Sequence, residues 1–190
     1  MTCPASKSTL RQQMRATLEK ISLAVRTVES MDLCARLEPQ LQSAHTILFY
    51  APMPDELDVW PLLEKLLKTG KICALPGFDG TPRTYCARRV TSLETDIITG
   101  RFDVREPAPS CEIVPFNRFD LVIVPGVAFD LAGNRLGRGM GFYDRILAES
   151  SGVKCGVAYD FQLKESIPVE THDAKVNFIF TPGRCVRRKG

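Results

Sequence analysis

The sequence predicts an α/β fold: one Rossmann-like, doubly wound domain with a mostly parallel sheet and helices on both faces. Three observations predict it. From Thr46 onward, short apolar runs alternate with stretches of helical periodicity, the βαβ rhythm that buries a parallel sheet on both sides. The run Leu121-Val122-Ile123-Val124 stops at Pro125-Gly126 and leads into a glycine-rich segment and then a helix. The chain has 190 residues, 44% hydrophobic and 25% charged, which suits a single globular domain over residues 1–190.

Each element follows from its pattern. Leu10, Met14, Leu18 and Ile21 recur at helical spacing, so Lys7 to Lys20 reads as an amphipathic helix, with Ser6 or Ser8 able to cap it. A second helix runs from Val28 to Leu41, where Pro39 should disturb the end. Thr46 to Tyr50 is β-branched and aromatic and ends in Ala51-Pro52-Met53-Pro54, a strand followed by a loop. Val59 to Lys68 is helical, with Gly70 as its stop, and Lys71 to Leu75 is the next strand. Tyr85 to Val90 reads as a strand and Ile97 to Pro109 as loop. Beyond the Phe119–Gly126 strand, a helix covers Phe142 to Glu149, and strands cover Val153 to Ala158 and Val176 to Thr181. No repeat or low-complexity linker interrupts this order.

Composition excludes several function classes. The net charge is +3 and the dense basic run is confined to Arg184–Lys189, too little for a nucleic-acid binder, which needs a basic face. No apolar run approaches the ~20 residues of a membrane span, so a cytoplasmic protein is expected. The seven cysteines are odd in number and no two form C-x-x-C, which argues against a structural zinc site and for free thiols in a reducing compartment.

The chemistry points to Gly137-Arg138-Gly139-Met140-Gly141, just ahead of the Phe142 helix. Glycines let a backbone curl and let a phosphate approach its N–H groups, and a helix N-terminus adds a favourable dipole. Arg135 and Arg138 supply full positive charge. The spacing matches neither G-x-x-x-x-G-K-[ST] nor G-x-G-x-x-G, so on these residues alone a plain tight turn stays open. Lys7 and Arg11, four apart, share one helix face that could equally be solvated. Asp144 could cap the helix or hold a magnesium ion.

The longer frame is more specific. Leu121 to Asp130, followed by Gly133-Asn134-Arg135-Leu136-Gly137-Arg138-Gly139-Met140-Gly141-Phe142-Tyr143-Asp144-Arg145, resembles the signature of the 5-formyltetrahydrofolate cyclo-ligase family. Lys7-Ser8-Thr9-Leu10-Arg11, Glu56-Leu57-Asp58, Glu106-Pro107, Gln162, Pro168-Val169 and His172-Asp173 resemble its other segments in order, so the resemblance spans Lys7 to Thr181.

It implies an enzyme that uses ATP and magnesium to close 5-formyltetrahydrofolate to 5,10-methenyltetrahydrofolate. The formyl oxygen is activated by phosphoryl transfer and then displaced by N10. The resemblance implies ATP contacts from Lys7, Ser8, Thr9, Leu10, Arg11, Arg135, Leu136, Gly137, Arg138, Gly139, Met140, Gly141, Phe142 and Tyr143. It implies folate contacts from Arg11, Tyr50, Glu56, Arg138, Gly139, Met140, Gly141 and Phe142. Arg138 and Tyr143 are the candidate catalytic residues, and Asp144 and Asp173 the candidate magnesium ligands. Core packing is the competing role for Tyr50, and a first-turn helix acid for Glu56. His172 has two readings, a general base or a support that orients Asp173. The expected partners are the two small molecules, with no nucleic acid or membrane and with a monomer as the working unit. Met140 and Phe142 stand where many members have glycine and tyrosine, and Val59 where threonine is common. The alternative is therefore a non-catalytic or divergent nucleotide- or folate-binding relative on the same fold.

Overall fold

Two capped helices open the chain in the computed structural model, which describes residues 6–78, 85–100, 104–170 and 173–188. In α1 (Lys7–Leu18) the Ser6 hydroxyl accepts from the Thr9 N–H, and Leu10, Met14 and Leu18 form the buried stripe. In α2 (Leu23–Leu41) the Ser22 hydroxyl accepts from the Val25 N–H. This helix begins at Leu23, ahead of the expected Val28, because Ser22 supplies a cap while Leu23 and Val25 point to solvent and add nothing to an apolar stripe. Pro39 lies inside the last turn, and the helix runs on to Leu41 before the Gln42 N–H bonds back to the Pro39 carbonyl. A proline there costs one hydrogen bond at an end that is already fraying.

The strands β1 (Thr46–Leu48), β2 (Ile72–Phe78), β3 (Tyr85–Val90), β4 (Ile97–Thr99), β5 (Arg105–Pro107), β6 (Ile113–Val114), β7 (Leu121–Pro125), β8 (Ala128–Asp130), β9 (Arg135–Leu136), β10 (Val153–Val157), β11 (Leu163–Lys164), β12 (Phe178–Phe180) and β13 (Cys185–Arg187) alternate with α3 (Trp60–Leu67) and α4 (Phe142–Glu149). Eight of them form one sheet in the order β13-β12-β10-β7-β1-β2-β3-β6. Its centre, from β12 to β2, is parallel, and its two margins are antiparallel.

Side chains alternate across the sheet. Ile47, Cys73, Leu121 and Cys155 pack with Leu33 and Leu37 of α2 and Leu62 and Leu63 of α3. Leu48, Ala74 and Val122 pack on the other face with Ile146 and Leu147 of α4. Helices thus flank both faces, and truncating a fully buried leucine such as Leu37 to alanine costs about 2–5 kcal/mol. Among the described residues no helix is long and apolar enough to cross a membrane.

Numbered among themselves, the parallel strands run 2-1-3-4-5. That is a doubly wound order, but not the 3-2-1-4-5-6 of dinucleotide-binding sheets. The chain winds outward from β1 to β2, returns, and winds the other way through β7 and β10. The order reverses between β1 and β7, where the carboxyl ends of adjacent strands lead apart and leave a crevice.

One expectation is corrected. Ile97 to Pro109 is not plain loop, because β4 and β5 pair antiparallel, with Ile98 opposite Glu106. The strands are short and half-exposed, so no apolar alternation announces them. Their start is set by Asp96, whose carboxylate accepts from the Thr91 and Ser92 N–H groups and from the Thr91 hydroxyl.

Candidate functional site

A cavity of about 1310 Å³ opens at this crevice. Its floor is made by strand ends: Tyr50 and Ala51 after β1, Pro76 and Gly77 of β2, Pro125 and Gly126 at β7, Val157 and Ala158 at β10. Gly126 is required here, since a Cβ would lie 2.6 Å from the Phe129 ring.

One wall is the segment from β8 to α4. The buried Asp130 fixes its base by accepting from the N–H groups of Ala132, Asn134 and Ile167 and from the Asn134 side chain. Beyond that turn Arg135 is 5% exposed. Its guanidinium donates to Asp144 (2.8 Å) and to the Pro125 carbonyl (3.3 Å), while its Nε has no hydrogen-bond partner among the described residues. Gly139 and Gly141 have φ of 103° and 64°, values that favour glycine. Gly141 occupies the N-cap of α4 without a side-chain cap, which leaves the first N–H groups of the helix available to an anion. Asp144 is therefore a first-turn acid and not the cap.

Helix α1 adds cations to this wall. Arg11 donates through Nε to the Gly137 carbonyl (2.8 Å). Lys7 contacts Asp173 (2.6 Å) and Glu170 (3.3 Å). Burial works to lower the Lys7 ammonium, but its bonds to Asp173 and Glu170 outweigh this and hold it above the usual lysine value.

The opposite wall is the irregular segment 51–59. The Glu56 carboxylate accepts from the Met53 N–H (3.1 Å) and from Arg138 Nε and Nη2 (3.2 and 3.1 Å), and Arg138 Nη2 also reaches Asp55 (2.6 Å). Burial pushes the Glu56 carboxyl above the ordinary range against the opposing pull of Arg138. For Arg138 itself, desolvation acts downward, while Asp55 and Glu56 drive the net shift upward. Tyr50 is fully buried and donates to the Leu57 carbonyl (2.6 Å), so it both packs in the core and lines the floor. An aromatic rim closes the far side, with ring centroids 4.8 Å apart for Phe78–Tyr85, 4.1 Å for Tyr85–Phe142 and 4.8 Å for Phe142–Tyr143. Burial raises the Tyr143 phenol well above its usual value, so it stays protonated.

The cavity thus gathers Lys7, Ser8, Arg11, Tyr50, Glu56, Arg135 to Asp144 and Asp173. Two expected contacts fall outside it. Leu10 is buried against Met14, Ala128, Leu136 and Ile167, because it belongs to the apolar stripe of α1. Thr9 faces the Ser6 cap. His172 lies outside the described residues. Asp55, Phe78 and Tyr85 also line the cavity and carry no motif. Asp55 adjoins Glu56 in the sequence, and that adjacency is its one local signal.

This site belongs to a chain whose residues 4–182 match the model of the 5-formyltetrahydrofolate cyclo-ligase family. A protein from Escherichia coli (strain K12) named 5-formyltetrahydrofolate cyclo-ligase is 34% identical over 154 residues, covering 77% of this chain and 82% of that one. One of the same name from Mycolicibacterium smegmatis is 32% identical and covers 96% and 97%. The solved structure of Aquifex aeolicus 5,10-methenyltetrahydrofolate synthetase superposes with a TM-score of 0.87 at 35% identity, covering 97% of this chain and 94% of that chain.

Proposed function

The chain belongs to the 5-formyltetrahydrofolate cyclo-ligase family, and on that premise we propose that it uses ATP to convert 5-formyltetrahydrofolate to 5,10-methenyltetrahydrofolate. One observation carries the reading to this site. At the reversal of the strand order, a wall of glycine, arginine and a helix N-terminus faces a wall that carries a half-buried carboxylate, across one cavity rimmed by aromatic rings. The first wall suits a polyphosphate. The second suits a flat heterocycle that carries N–H donors.

The chemistry needs both at once. An amide-like formyl oxygen leaves poorly. Transfer of the γ-phosphoryl group to it gives ADP and an activated carbon. N10 attacks that carbon, the carbon–oxygen bond breaks, inorganic phosphate departs, and the N10 proton is lost as the methenyl bridge forms. Such a transfer is accelerated by charge neutralisation and alignment rather than by a protein nucleophile.

Lys7, Ser8, Arg11, Arg135 and residues 136–142 are assigned to the phosphates. Arg138 sits between the walls and is the residue assigned to the migrating charge. Tyr143 is assigned as a neutral donor at the cavity edge. Tyr50, Glu56, Phe142 and the Arg11–Arg138–Gly139–Met140–Gly141 group are assigned to the folate. Asp144 and Asp173 both face the cavity and offer the hard oxygens that magnesium prefers. Among the described residues no three acidic, histidine or cysteine side chains cluster, so phosphate oxygens and water would complete the shell of an ion held there. When bound, the ion supplies charge neutralisation to the phosphates. In this reading residues 1–190 form one domain that works as a cytoplasmic monomer on small molecules, with no nucleic-acid partner.

The test is the absorbance of the methenyl product when purified protein meets ATP, magnesium and 5-formyltetrahydrofolate. Turnover that requires all three is the expected result. Folded protein that binds ligands without turnover would favour the non-catalytic alternative.

A further inference from the structure

Segment 51–59 carries Glu56 but has neither helix nor strand to fix it. Its backbone is held from outside. On α2, one turn apart, Arg26 donates through Nη1 to the Pro54 carbonyl (2.8 Å), and the Ser30 hydroxyl accepts from the Asp58 N–H (2.9 Å). The Ser30 hydroxyl in turn donates to the Arg26 carbonyl (2.7 Å). Two further Arg26 donors reach the end of α1 and the turn after it, from Nη2 to the Leu18 carbonyl (2.6 Å) and from Nε to the Ile21 carbonyl (3.2 Å). A cation at the carboxyl end of a helix is favourably placed. All three acceptors are backbone oxygens, so the side chain fixes chain path rather than pairing with charge.

From this we infer that Arg26, with Ser30 as its support, is a positioning residue for the folate-side wall, acting through Glu56 without touching either substrate. The inference rests on the proposed reaction. Arg26 bridges the end of α1 to the segment just ahead of Asp55 and Glu56, the two carboxylates that hold Arg138. Apart from Arg138, which Asp55 and Glu56 hold, the phosphate side does not depend on this bridge. Leu10 and Met14 seat the first turns of α1 against Leu136, and Lys7 and Arg11 have their own partners.

The role predicts a split between substrates. Arg26→Met should raise the KM for 5-formyltetrahydrofolate about tenfold, the usual scale for a small loss of alignment, while the KM for ATP and the circular dichroism stay at wild-type values. Arg26→Lys keeps one donor and should recover part of the loss. Ser30→Ala should act in the same direction more weakly. On a Glu56→Gln background, Arg26→Met should cause little further loss, because both changes disable the same contact. Equal losses for both substrates, full additivity with Glu56→Gln, or no kinetic change would each overturn the role. If Arg26→Met does not fold, Arg26→Lys and Ser30→Ala carry the same test. Wild-type protein that lacks turnover would instead overturn the proposed reaction, so the two failures are distinct.

Discussion

The two walls of the cavity are built by opposite means. The segment from Asn134 to Asp144 is shaped largely from within, by the Asp130 turn, two positive-φ glycines and the Arg135–Asp144 pair, with one outside bond from Arg11 to the Gly137 carbonyl. The segment from Ala51 to Val59 is shaped from without, by Arg26, Ser30 and Tyr50 donating to or accepting from its backbone. A wall stiffened from within must carry its instructions locally, so it reads as a motif. A wall braced from outside spreads them over distant residues, and it reads as an unremarkable loop.

This difference can be broken at Arg138, a side chain that belongs to both walls. Arg138→Met should lower kcat/KM about 1000-fold, the scale of losing one aimed charge in the transition state. Its side chain is 43% exposed, so urea unfolding should change little. Steady-state kinetics beside a denaturation curve checks both statements.

The next effect sharpens the contrast. Glu56→Gln should raise the KM for 5-formyltetrahydrofolate roughly 10–100-fold, the scale for neutralising a half-buried carboxylate that accepts a hydrogen bond, and leave binding of a non-hydrolysable ATP analogue unchanged. Isothermal titration with each ligand separates the two. An equal weakening for both ligands would mean that the walls are not divided as described.

On the phosphate side, Gly141→Ala tests internal stiffness. Nothing lies within 4 Å of the added Cβ, so crowding plays no part. The left-handed backbone alone should cost about 1 kcal/mol, seen as a lower denaturation midpoint. The start of α4 should shift with it, raising the KM for ATP.

The smallest effect lies outside both walls. Asp96 keeps its carboxyl down at about 2; desolvation opposes this, and the Thr91, Ser92 and Thr95 hydrogen bonds outweigh it. Because its folded value is below the unfolded one, the stabilisation is present above about pH 4 and is lost as the pH falls toward 2. Asp96→Asn should therefore cost about 1 kcal/mol near neutrality, after allowance for solvent screening. The cost should shrink as the pH falls through about 2, and turnover should be unaffected. Denaturation across that range checks it.

The sequence made the two walls unequally legible for the same reason. The parallel centre of the sheet was readable because strands such as Leu121–Pro125 are buried on both faces and become continuous apolar runs. The antiparallel hairpin of β4 and β5 was not, since half-exposed three-residue strands leave no period. Arg135 and Asp144 could be named from their frame, although their mutual pairing could not. The Leu10 side chain serves the buried stripe of α1, a placement that its position inside a motif does not announce. Tyr85 and Phe78 escaped notice because their meeting with Phe142 is made only by the fold. Arg26 escaped for a deeper reason: its partners are carbonyl oxygens, and every residue has one.

The central claim is that one cavity couples the two walls in a single reaction. The most direct test measures ADP and methenyl product together in the same reaction mixture. The account predicts that they form in equal amounts and that neither appears without 5-formyltetrahydrofolate. Release of ADP with no methenyl product, or at the same rate when folate is left out, would contradict it.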